Sequence, residues 1–265
     1  MKPPFPQLDL SRVRAVTFDV GGTLLDPHPS VGVVYAEVLA RHHPRVPDPA
    51  VIDARFHHAF ADLRSRLLPV VNETTQLAFW RELAHRSLTP DCPEEIFDTV
   101  FAELWREFAD ARRWRPLPGA AELIANHPPN SVPSFNIFSN WDSRLHPVLD
   151  GLGWSPHFHR IFVSSEIGFE KPDPRAFRAV EQALSLPPAA ILHVGDSYAH
   201  DYQPARAAGW QALLVTPKPP TADPPPLSAS LVSLRVLLAG SVVSLFCSFC
   251  VFCGSIPFYH SNFKI

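Results

Sequence analysis

The sequence predicts an α/β protein: a parallel sheet with a helical bundle inserted after its first strand. Two observations predict this class. Short apolar runs alternate with helical patterns over residues 135–215, which indicates strand–helix–strand crossover units. Residues 31–112, in contrast, show only the helical spacing of apolar side chains.

The length and composition are those of a globular protein. A chain of 265 residues can bury a full core and hold one large domain with a smaller inserted one. A hydrophobic content of 46% and a charged content of 18% exclude wholesale disorder. The net charge of −3, without a dense stripe of Lys and Arg, gives no footprint for nucleic acid, so we expect no nucleic-acid partner.

Five apolar runs have the composition of buried strands, and helical patterns separate the later ones. The last helical pattern is closed by Gly209, a common C-terminal stop. Ligands of parallel sheets bind beyond the carboxyl ends of the strands, so polar residues just after these runs are candidate site residues. The predicted strands are 15–18, 135–138, 161–163, 191–194 and 212–215, and the predicted helices are 143–152, 174–186 and 202–208.

The inserted segment is predicted to form four helices separated by proline-rich breaks, with hinges near 26–30 and 113–118. Its large apolar side chains recur at helical spacing, which is more typical of a bundle core than of a ligand box. The predicted helices are 31–41, 50–67, 75–87 and 94–112, and the side chains are Trp80, Phe97, Phe101, Leu104, Trp105 and Phe108. The pairs His42-His43 and His57-His58 lack carboxylates at ligand spacing, so we interpret them as surface residues.

We therefore divide the chain into a core domain of residues 12–27 and 114–217, a helical insert of residues 28–113, and a tail of residues 218–265. The tail begins with a proline-rich linker and one predicted helix over 228–238, and then becomes almost wholly apolar. From residue 236 to 258 it approaches the roughly 20 residues that span a bilayer. A membrane tail, a buried helix and an extension outside the ordered domain all stay open.

Cysteines and the N-terminus bear on localisation. Residues 1–14 contain three prolines and no apolar run, so we predict no secretory signal. Only Cys92 lies in the main body, which excludes a disulfide scaffold and favours a reducing cytoplasm. Three further thiols in the apolar tail, Cys247, Cys250 and Cys253, lack a fourth ligand and a polar shell, so we predict no metal site there.

Asp19 ends the first apolar run, where a charged side chain has no packing role. Gly21, Gly22 and Thr23 permit a tight turn that brings backbone groups close to a ligand. A carboxylate in this place can attack phosphorus and form an aspartyl phosphate that water later hydrolyses. A turn-capping Asp is the structural alternative, but the polar clusters that follow favour a nucleophile.

Two carboxylates follow the fourth predicted strand: Asp196 directly after Gly195, and Asp201 five residues later. Oxygen ligands, retained waters and substrate phosphate are what Mg²⁺ prefers. The cation would offset the repulsion between a nucleophilic carboxylate and an anionic substrate. Asp201 could instead cap the helix predicted from Tyr202. Together with Asp19, the metal interpretation is favoured for both.

A hydroxyl, an amide and an ammonium complete the set. Ser139 and Asn140 end the second predicted strand and can donate hydrogen bonds to a phosphoryl oxygen, whereas Asp142 is interpreted as the N-cap of the next helix. Lys171 precedes a Pro-Asp-Pro sequence that starts a helix. Its ammonium is predicted to point toward Asp19 and the transferred phosphoryl group, and so to bind substrate and stabilise transition-state charge.

These clusters, in this order, resemble the four motifs of the haloacid dehalogenase (HAD) superfamily, and the likeness covers residues 14–215. Asp19 stands in the first motif, Ser139 in the second, Lys171 in the third, and Gly195-Asp196 with Asp201 in the fourth. Longer stretches at 139–145, 168–177 and 201–209 are similar to one branch of the superfamily.

This resemblance implies a Rossmann-like core with a helical cap inserted after the first motif, and hydrolysis of the phosphate ester of a small metabolite. It also implies Mg²⁺, held by Asp19, the backbone carbonyl of Gly21 and Asp196. The chain departs from the superfamily at Gly21, where phosphatases carry an Asp that protonates the leaving oxygen and then activates water. Losing such a group typically costs about 10²–10⁴ in rate. Asp26, His28 or a residue of the cap could substitute.

Three functions stay open. A Mg²⁺-dependent phosphatase, slowed by Gly21, is the leading hypothesis. A dehalogenase is the second, because superfamily members of that chemistry also lack the Asp, although Asp196 and Asp201 argue against a metal-free enzyme. Phosphonate cleavage is disfavoured, because no Lys lies between Lys2 and Lys171 to form a Schiff base in the cap. The third is a degenerate module that binds a phosphate ligand or regulates a partner.

Overall fold

Seven strands lie in the part of the chain that the computed structural model describes, which is residues 8–64, 70–215 and 231. Five of them form one parallel sheet in the order β5-β4-β1-β6-β7, and two form a separate antiparallel ribbon. The strands are β1 (Ala15–Phe18), β2 (Leu25–Pro27), β3 (Trp114–Pro116), β4 (Ser134–Ser139), β5 (Arg160–Val163), β6 (Ile191–Gly195) and β7 (Gln211–Leu214).

The predicted parallel sheet is confirmed, and each of its five strands ends within one residue of the predicted position. β1 is fully buried between β4 and β6, which fits its unbroken apolar sequence. In this register Phe18 pairs with Ile137 on one side and Val194 on the other. The polar residues that follow these three strands therefore meet at one edge of the sheet.

The inserted segment forms four helices: α1 (Val31–Ala40), α2 (Pro49–Arg64), α3 (Glu73–Leu88) and α4 (Glu94–Glu107). They enclose a hydrophobic cluster of their own, to which Val34, Ile52 and Phe97 contribute. α3 begins earlier than predicted because Asn72 accepts a hydrogen bond from the Thr75 amide in a capping box. The division of the chain into domains at particular residues stays a prediction.

The fourth helix is shorter than predicted. α4 ends at Glu107 instead of residue 112, and residues Ala111–Arg113 form a separate 3₁₀ turn. The Asp110 carboxylate accepts a hydrogen bond from the Arg112 amide at 2.9 Å and so starts that turn. The predicted helix over 50–67 is described as far as Arg64, and its last residues lie outside the described part of the chain.

The predicted hinges contain a structure that the sequence analysis missed. β2 and β3 pair as an antiparallel ribbon, so both crossings between core and insert run side by side. The pairing is extended at its ends by the His28 amide, which donates to the Arg113 carbonyl at 2.7 Å, and the Leu117 amide, which donates to the Leu24 carbonyl at 2.9 Å. Strands of three residues containing proline are too short to show an alternating pattern.

Of the elements that lie wholly within residues 70–215, five further helices flank the sheet: α5 (Ala120–Ala125), α6 (Leu145–Gly151), α7 (Ser164–Ile167), α8 (Pro174–Leu184) and α9 (Gln203–Ala207). The helix predicted from Tyr202 is preceded by a π-helical turn, Tyr198–Tyr202, that contains Asp201. The N-cap residue of α6 is Arg144, so the prediction that Asp142 caps this helix is wrong. The Asp142 carboxylate instead accepts from the amide and the guanidinium of Arg144.

Most of the tail lies outside the described residues, including the apolar run from 236 to 258 and its three cysteines. Of the predicted helix over 228–238 only Leu231 is described, and it is helical and buried in the hydrophobic cluster of the core. Within the described part of the chain, no helix combines the length and the apolar character needed to cross a membrane.

Candidate active site

Asp19 lies at the centre of the polar edge of the sheet and is largely buried. Its Oδ1 accepts hydrogen bonds from the Ser139 hydroxyl at 2.8 Å and the Lys171 ammonium at 3.0 Å. Both donors therefore hold the same oxygen. Oδ2 makes no hydrogen bond to any described residue, which leaves it available to a substrate or a cation.

The Lys171 ammonium is fully buried between two carboxylates, at 3.0 Å from Asp19 and 2.5 Å from Asp201. Burial alone would lower the pKa of Lys171, but the charges of Asp19 and Asp201 outweigh it and hold the pKa above its usual value. The lysine is thus a permanent cation beside the candidate nucleophile. Its backbone is fixed by Asn140, whose amide group exchanges two hydrogen bonds with the Lys171 peptide, at 2.7 and 2.8 Å.

His193 is a site residue that the sequence analysis missed. It lies on β6, fully buried, with Nδ1 at 2.9 Å from the Thr17 hydroxyl and Nε2 at 3.0 Å from Asp201 Oδ1. Burial and the nearby Lys171 lower the pKa of His193, which keeps the ring neutral. A polar residue inside the otherwise apolar run Ile-Leu-His-Val was the signal in the sequence.

Asp201 belongs to this ion-pair network. Its Oδ1 accepts from Lys171 and lies against His193, and its Oδ2 accepts from the Ser197 amide at 3.0 Å. A Cβ atom at Gly195 would come within 2.3 Å of the Asp201 carboxyl carbon, so only glycine permits this approach. Asp201 is therefore tied to Lys171 through contacts that a metal ligand would have to share.

Asp196 carries the least compensated charge of the cluster. Among the described side chains its hydrogen-bond donor is the Thr23 hydroxyl, at 3.2 Å from Oδ1. Burial, followed by repulsion from the Asp19 and Asp201 carboxylates, raises the pKa of Asp196 to about 7. Gly22 leaves the necessary room: its φ is +74°, and a Cβ there would lie 2.7 Å from Asp196 Oδ2.

These three carboxylates fit a divalent cation. Asp19, Asp196 and Asp201 each offer one oxygen within 4.8 Å of the others. Hard oxygen donors in a site with excess negative charge are the ligands that Mg²⁺ prefers, and a cation there would relieve the repulsion that raises the Asp196 pKa. Asp19 and Asp196 have the oxygens least committed to other groups, which favours them as ligands over Asp201.

Position 21 offers space instead of a carboxylate. Gly21 is exposed, and a Cβ added there would meet only the Trp141 ring, at 3.9 Å, an ordinary contact. Neither Asp26 nor His28, which we suggested as substitutes from the sequence, lies in the wall of the adjoining cavity. The wall does include two histidines, His57 from the cap and His200 from the core.

A cavity of about 580 Å³ opens from Asp19 into the inserted helices. The insert thus acts as a cap over the site. Our expectation that its large apolar side chains form core and not a ligand box is wrong in part: Phe97 is core alone, but others of the set face the cavity as well. Those cavity-lining members of the set are Trp80, Phe101, Leu104, Trp105 and Phe108. His57 is exposed, as predicted, and also lines the cavity.

Among the described residues, Arg64 and Glu73 of the cap make polar contacts with the core. Arg64 of α2 pairs with Glu170 at 3.0 Å. Glu73, at the start of α3, accepts from the Ser143 amide at 2.9 Å, from its hydroxyl at 3.0 Å, and from the Ser165 hydroxyl at 2.5 Å. These contacts join α2 and α3 of the cap to the core.

Comparison with known proteins agrees with this geometry. The sequence pattern of the haloacid dehalogenase-like hydrolases matches residues 13–209. Haloacid dehalogenase-like hydrolase domain-containing protein 3 of Mus musculus is 31% identical over 214 residues, which are 79% of this chain and 84% of that protein. It represents the branch that the longer motif matches resemble.

Solved structures show the same fold. A defluorinating L-2-haloacid dehalogenase superposes with a TM-score of 0.71 at 22% identity, covering 86% of this chain and 95% of that one. The HAD hydrolase YfnB of Bacillus subtilis, solved bound to magnesium, has a TM-score of 0.65 at 20% identity and covers 86% and 99%.

Proposed function

Because the chain belongs to the haloacid dehalogenase-like hydrolase family, we propose that it is a Mg²⁺-dependent phosphatase that acts through an aspartyl phosphate on Asp19. One observation carries this proposal. Asp19 has one oxygen anchored by Ser139 and Lys171 and the other free, and it lies beside the under-compensated carboxylate of Asp196. A nucleophile, an anion clamp and a cation site are thus combined at one strand edge.

The residues that would hold Mg²⁺ are Asp19 and Asp196, with the backbone carbonyl of Gly21 as the family resemblance implies. When bound, the cation would neutralise charge on the phosphoryl oxygens, so that an anionic substrate can approach a carboxylate. Ser139 and Lys171 would bind the remaining phosphoryl oxygens. We assign Asn140 and Asp201 to the positioning of Lys171, one through its backbone and the other through its ammonium.

In the first half-reaction the free Oδ2 of Asp19 attacks phosphorus and the bond to the ester oxygen breaks. The products are the aspartyl phosphate and the alcohol, which leaves as its anion unless a proton is supplied. In the second half-reaction water attacks that phosphorus, inorganic phosphate departs, and the Asp19 carboxylate is regenerated. Position 21 supplies no acid to the first step and no base to the second, so both steps are slowed.

The test is hydrolysis of phosphate monoesters with and without Mg²⁺, by the wild type and Asp19→Asn. Asp98→Asn, an exposed carboxylate on the outer face of the cap, is the matched control. We expect release of phosphate that is lost on chelation and in Asp19→Asn and kept in Asp98→Asn. Equal background in all proteins would favour the third hypothesis, a module that binds a phosphate ligand.

A dehalogenase is the second candidate because of Gly21 and the fold it shares with such an enzyme. The acidic cluster of Asp19, Asp196 and Asp201 disfavours it, because three carboxylates repel a 2-haloacid unless a cation is present. Halide release from 2-haloacids without Mg²⁺ would reverse this ranking. We still expect the substrate to be a small phosphorylated metabolite and the protein to act in the cytoplasm. We expect no nucleic-acid partner.

A further inference from the structure

We propose that the substrates of this site are aryl phosphates, that is, phosphate monoesters whose leaving group is aromatic and carries no second charge. The inference rests on the proposed phosphatase function and names its substrate class. Three features of the cavity point to it: the side chains around position 21, the aromatic wall supplied by the cap, and the pairing of every Lys and Arg that the described residues place there.

An indole ring faces the place where the leaving group must lie. Phosphatases of the family have an acid at position 21, next to the leaving oxygen; here there is glycine, with the Trp141 ring 3.9 Å from where its Cβ would stand. Trp114 packs against Trp141 with ring centroids 4.7 Å apart. The leaving group therefore faces π-surface where other members of the family provide a carboxylate.

The cap continues this wall. Phe101 of α4, Trp80 of α3 and Tyr35 of α1 line the same cavity as the two tryptophans. Aromatic walls favour flat apolar partners, which stack or meet them edge to face. A cavity of about 580 Å³ lies within the usual range for small ligands and can hold one or two fused rings beside the phosphate.

The cations of the cavity are already matched to carboxylates. Among the described residues its lysine and arginines are Lys171, Arg64 and Arg144, and each makes an ion pair of 3.0 Å or less. The Arg144 guanidinium also lies 3.5 Å from the Trp105 ring centroid and is buried. A second phosphate or a carboxylate on the leaving group would have to displace one of these partners.

The absence of an acid at position 21 also favours aryl phosphates as substrates. Without an acid, the leaving oxygen departs as an anion, and that is far easier for a phenol, with a pKa near that of tyrosine at about 10, than for an aliphatic alcohol. An aryl ester therefore loses little through Gly21. An alkyl ester loses the full contribution of the general acid.

The test compares kcat/KM, which reports the first half-reaction, for phenyl phosphate and 1-naphthyl phosphate against butyl phosphate and glucose 6-phosphate, all with Mg²⁺. We expect the aryl esters to be favoured by at least about 10²-fold, the lower limit for general-acid help. We also expect a burst of phenol equal to the enzyme concentration, and similar kcat values for both aryl esters, because the second half-reaction is common to them.

A matched pair of variants tests whether the aromatic wall of the cavity binds the aryl group. Phe101 and Phe97 lie one turn apart on α4 and are both buried, but only Phe101 of the two lines the cavity. Phe101→Leu should raise KM for 1-naphthyl phosphate roughly three- to tenfold, the worth of one aromatic contact. Phe97→Leu should leave that KM unchanged at a similar loss of thermal stability.

The two proposals fail differently. Alkyl and sugar esters cleaved as fast as aryl esters, in an Asp19-dependent reaction, would overturn the aryl inference and leave the phosphatase standing. No ester cleaved above the Asp19→Asn background would overturn the phosphatase. In that case binding still tests the aromatic wall. Calorimetry of the wild-type protein with Mg²⁺ should show phenylphosphonate, which cannot be hydrolysed, binding at least about threefold more tightly than methylphosphonate. Equal affinities would overturn the aryl inference by themselves.

Discussion

At the scale of single residues, the proposed phosphatase function predicts that Gly21 limits the rate. Gly21 does not adopt the left-handed conformation, and a Cβ there has room beside Trp141. Gly21→Asp is therefore expected to fold and to raise kcat/KM for alkyl phosphates by about 10²–10⁴, because it restores a proton donor to the leaving oxygen. Steady-state assays with butyl phosphate measure this gain.

The neighbouring glycine is the control for that change. At Gly22 a Cβ would press on Asp196 Oδ2 at 2.7 Å, and φ is +74°. Gly22→Ala should therefore lose Mg²⁺-dependent activity. A folded Gly21→Asp protein without any gain in rate would show that more than the proton shuttle is missing.

His193 is expected to position Lys171 through Asp201. His193→Leu leaves Thr17 and Asp201 without their shared partner, so that Asp201 and the Lys171 ammonium can shift. Because small misplacements of catalytic groups are costly, kcat should fall at least about tenfold with little change in KM. His193→Gln keeps a polar group near the Nε2 position and should recover part of kcat. A purely structural role would lower thermal stability equally in both variants without separating their kcat values.

The pKa of Asp196 makes the effect of Mg²⁺ depend on pH. In the metal-free protein this pKa is about 7, above the ordinary value of 3.8, because of burial and the Asp19 and Asp201 charges. Between these values the folded protein binds more protons than the unfolded chain, so the free energy of unfolding falls as pH rises through this window. Bound Mg²⁺ should offset that loss.

Thermal unfolding with and without Mg²⁺ at pH 5 and pH 8 checks this expectation. The rise in Tm on adding Mg²⁺ should be larger at pH 8, where the Asp196 carboxylate is charged, than at pH 5. Asp196→Asn should remove the difference between the two pH values. An equal rise at both pH values in the wild type would contradict a cation site at Asp196.

At the scale of elements, we expect the contact between α3 and the core to favour a closed position of the cap. Glu73→Ala removes the acceptor for Ser143 and Ser165, so the closed state should be less populated and kcat/KM for phenyl phosphate lower, by roughly two- to tenfold. The contact is near the surface, so Tm should change little. Glu82→Ala, on the same helix with its ion pair inside the cap, should leave kcat/KM unchanged.

The sequence predicted the type of these helices and strands correctly, but it predicted the ends of the helices less accurately. Helical periodicity identified α1 to α4, because each helix buries one face, and unbroken apolar runs identified the five sheet strands, because those strands are buried on both faces. The ends depended on single side chains: Asn72 starts α3, and Asp110 starts the turn that follows α4. The β2–β3 ribbon was missed, since its pairing joins residues far apart in the chain.

At the scale of the whole molecule, the chain beyond the sheet contributes to the core. Leu231 is 2% exposed and belongs to the same hydrophobic cluster as Val16 and Phe18 of β1. Leu231→Ala should lower the free energy of unfolding by about 2–4 kcal/mol, the usual cost of truncating a buried leucine. Leu77→Ala, at a leucine that is 40% exposed, should cost far less. Denaturant unfolding measures both, and equal values would contradict this packing.

The amino-acid sequence alone predicted an α/β core, a helical insert, and a set of polar groups at the ends of strands. Asp19, Ser139, Lys171, Asp196 and Asp201 could be named because each interrupts or follows an apolar pattern, and such patterns are local. The tertiary structure then determined which of these side chains contact one another. β1 lies between β4 and β6, and this order places His193 beside Thr17 and both hydrogen-bond donors on the same oxygen of Asp19. In the cap, likewise, side chains whose helical spacing is typical of a bundle core line a cavity. Such pairings depend on distances between remote segments, which no local pattern contains.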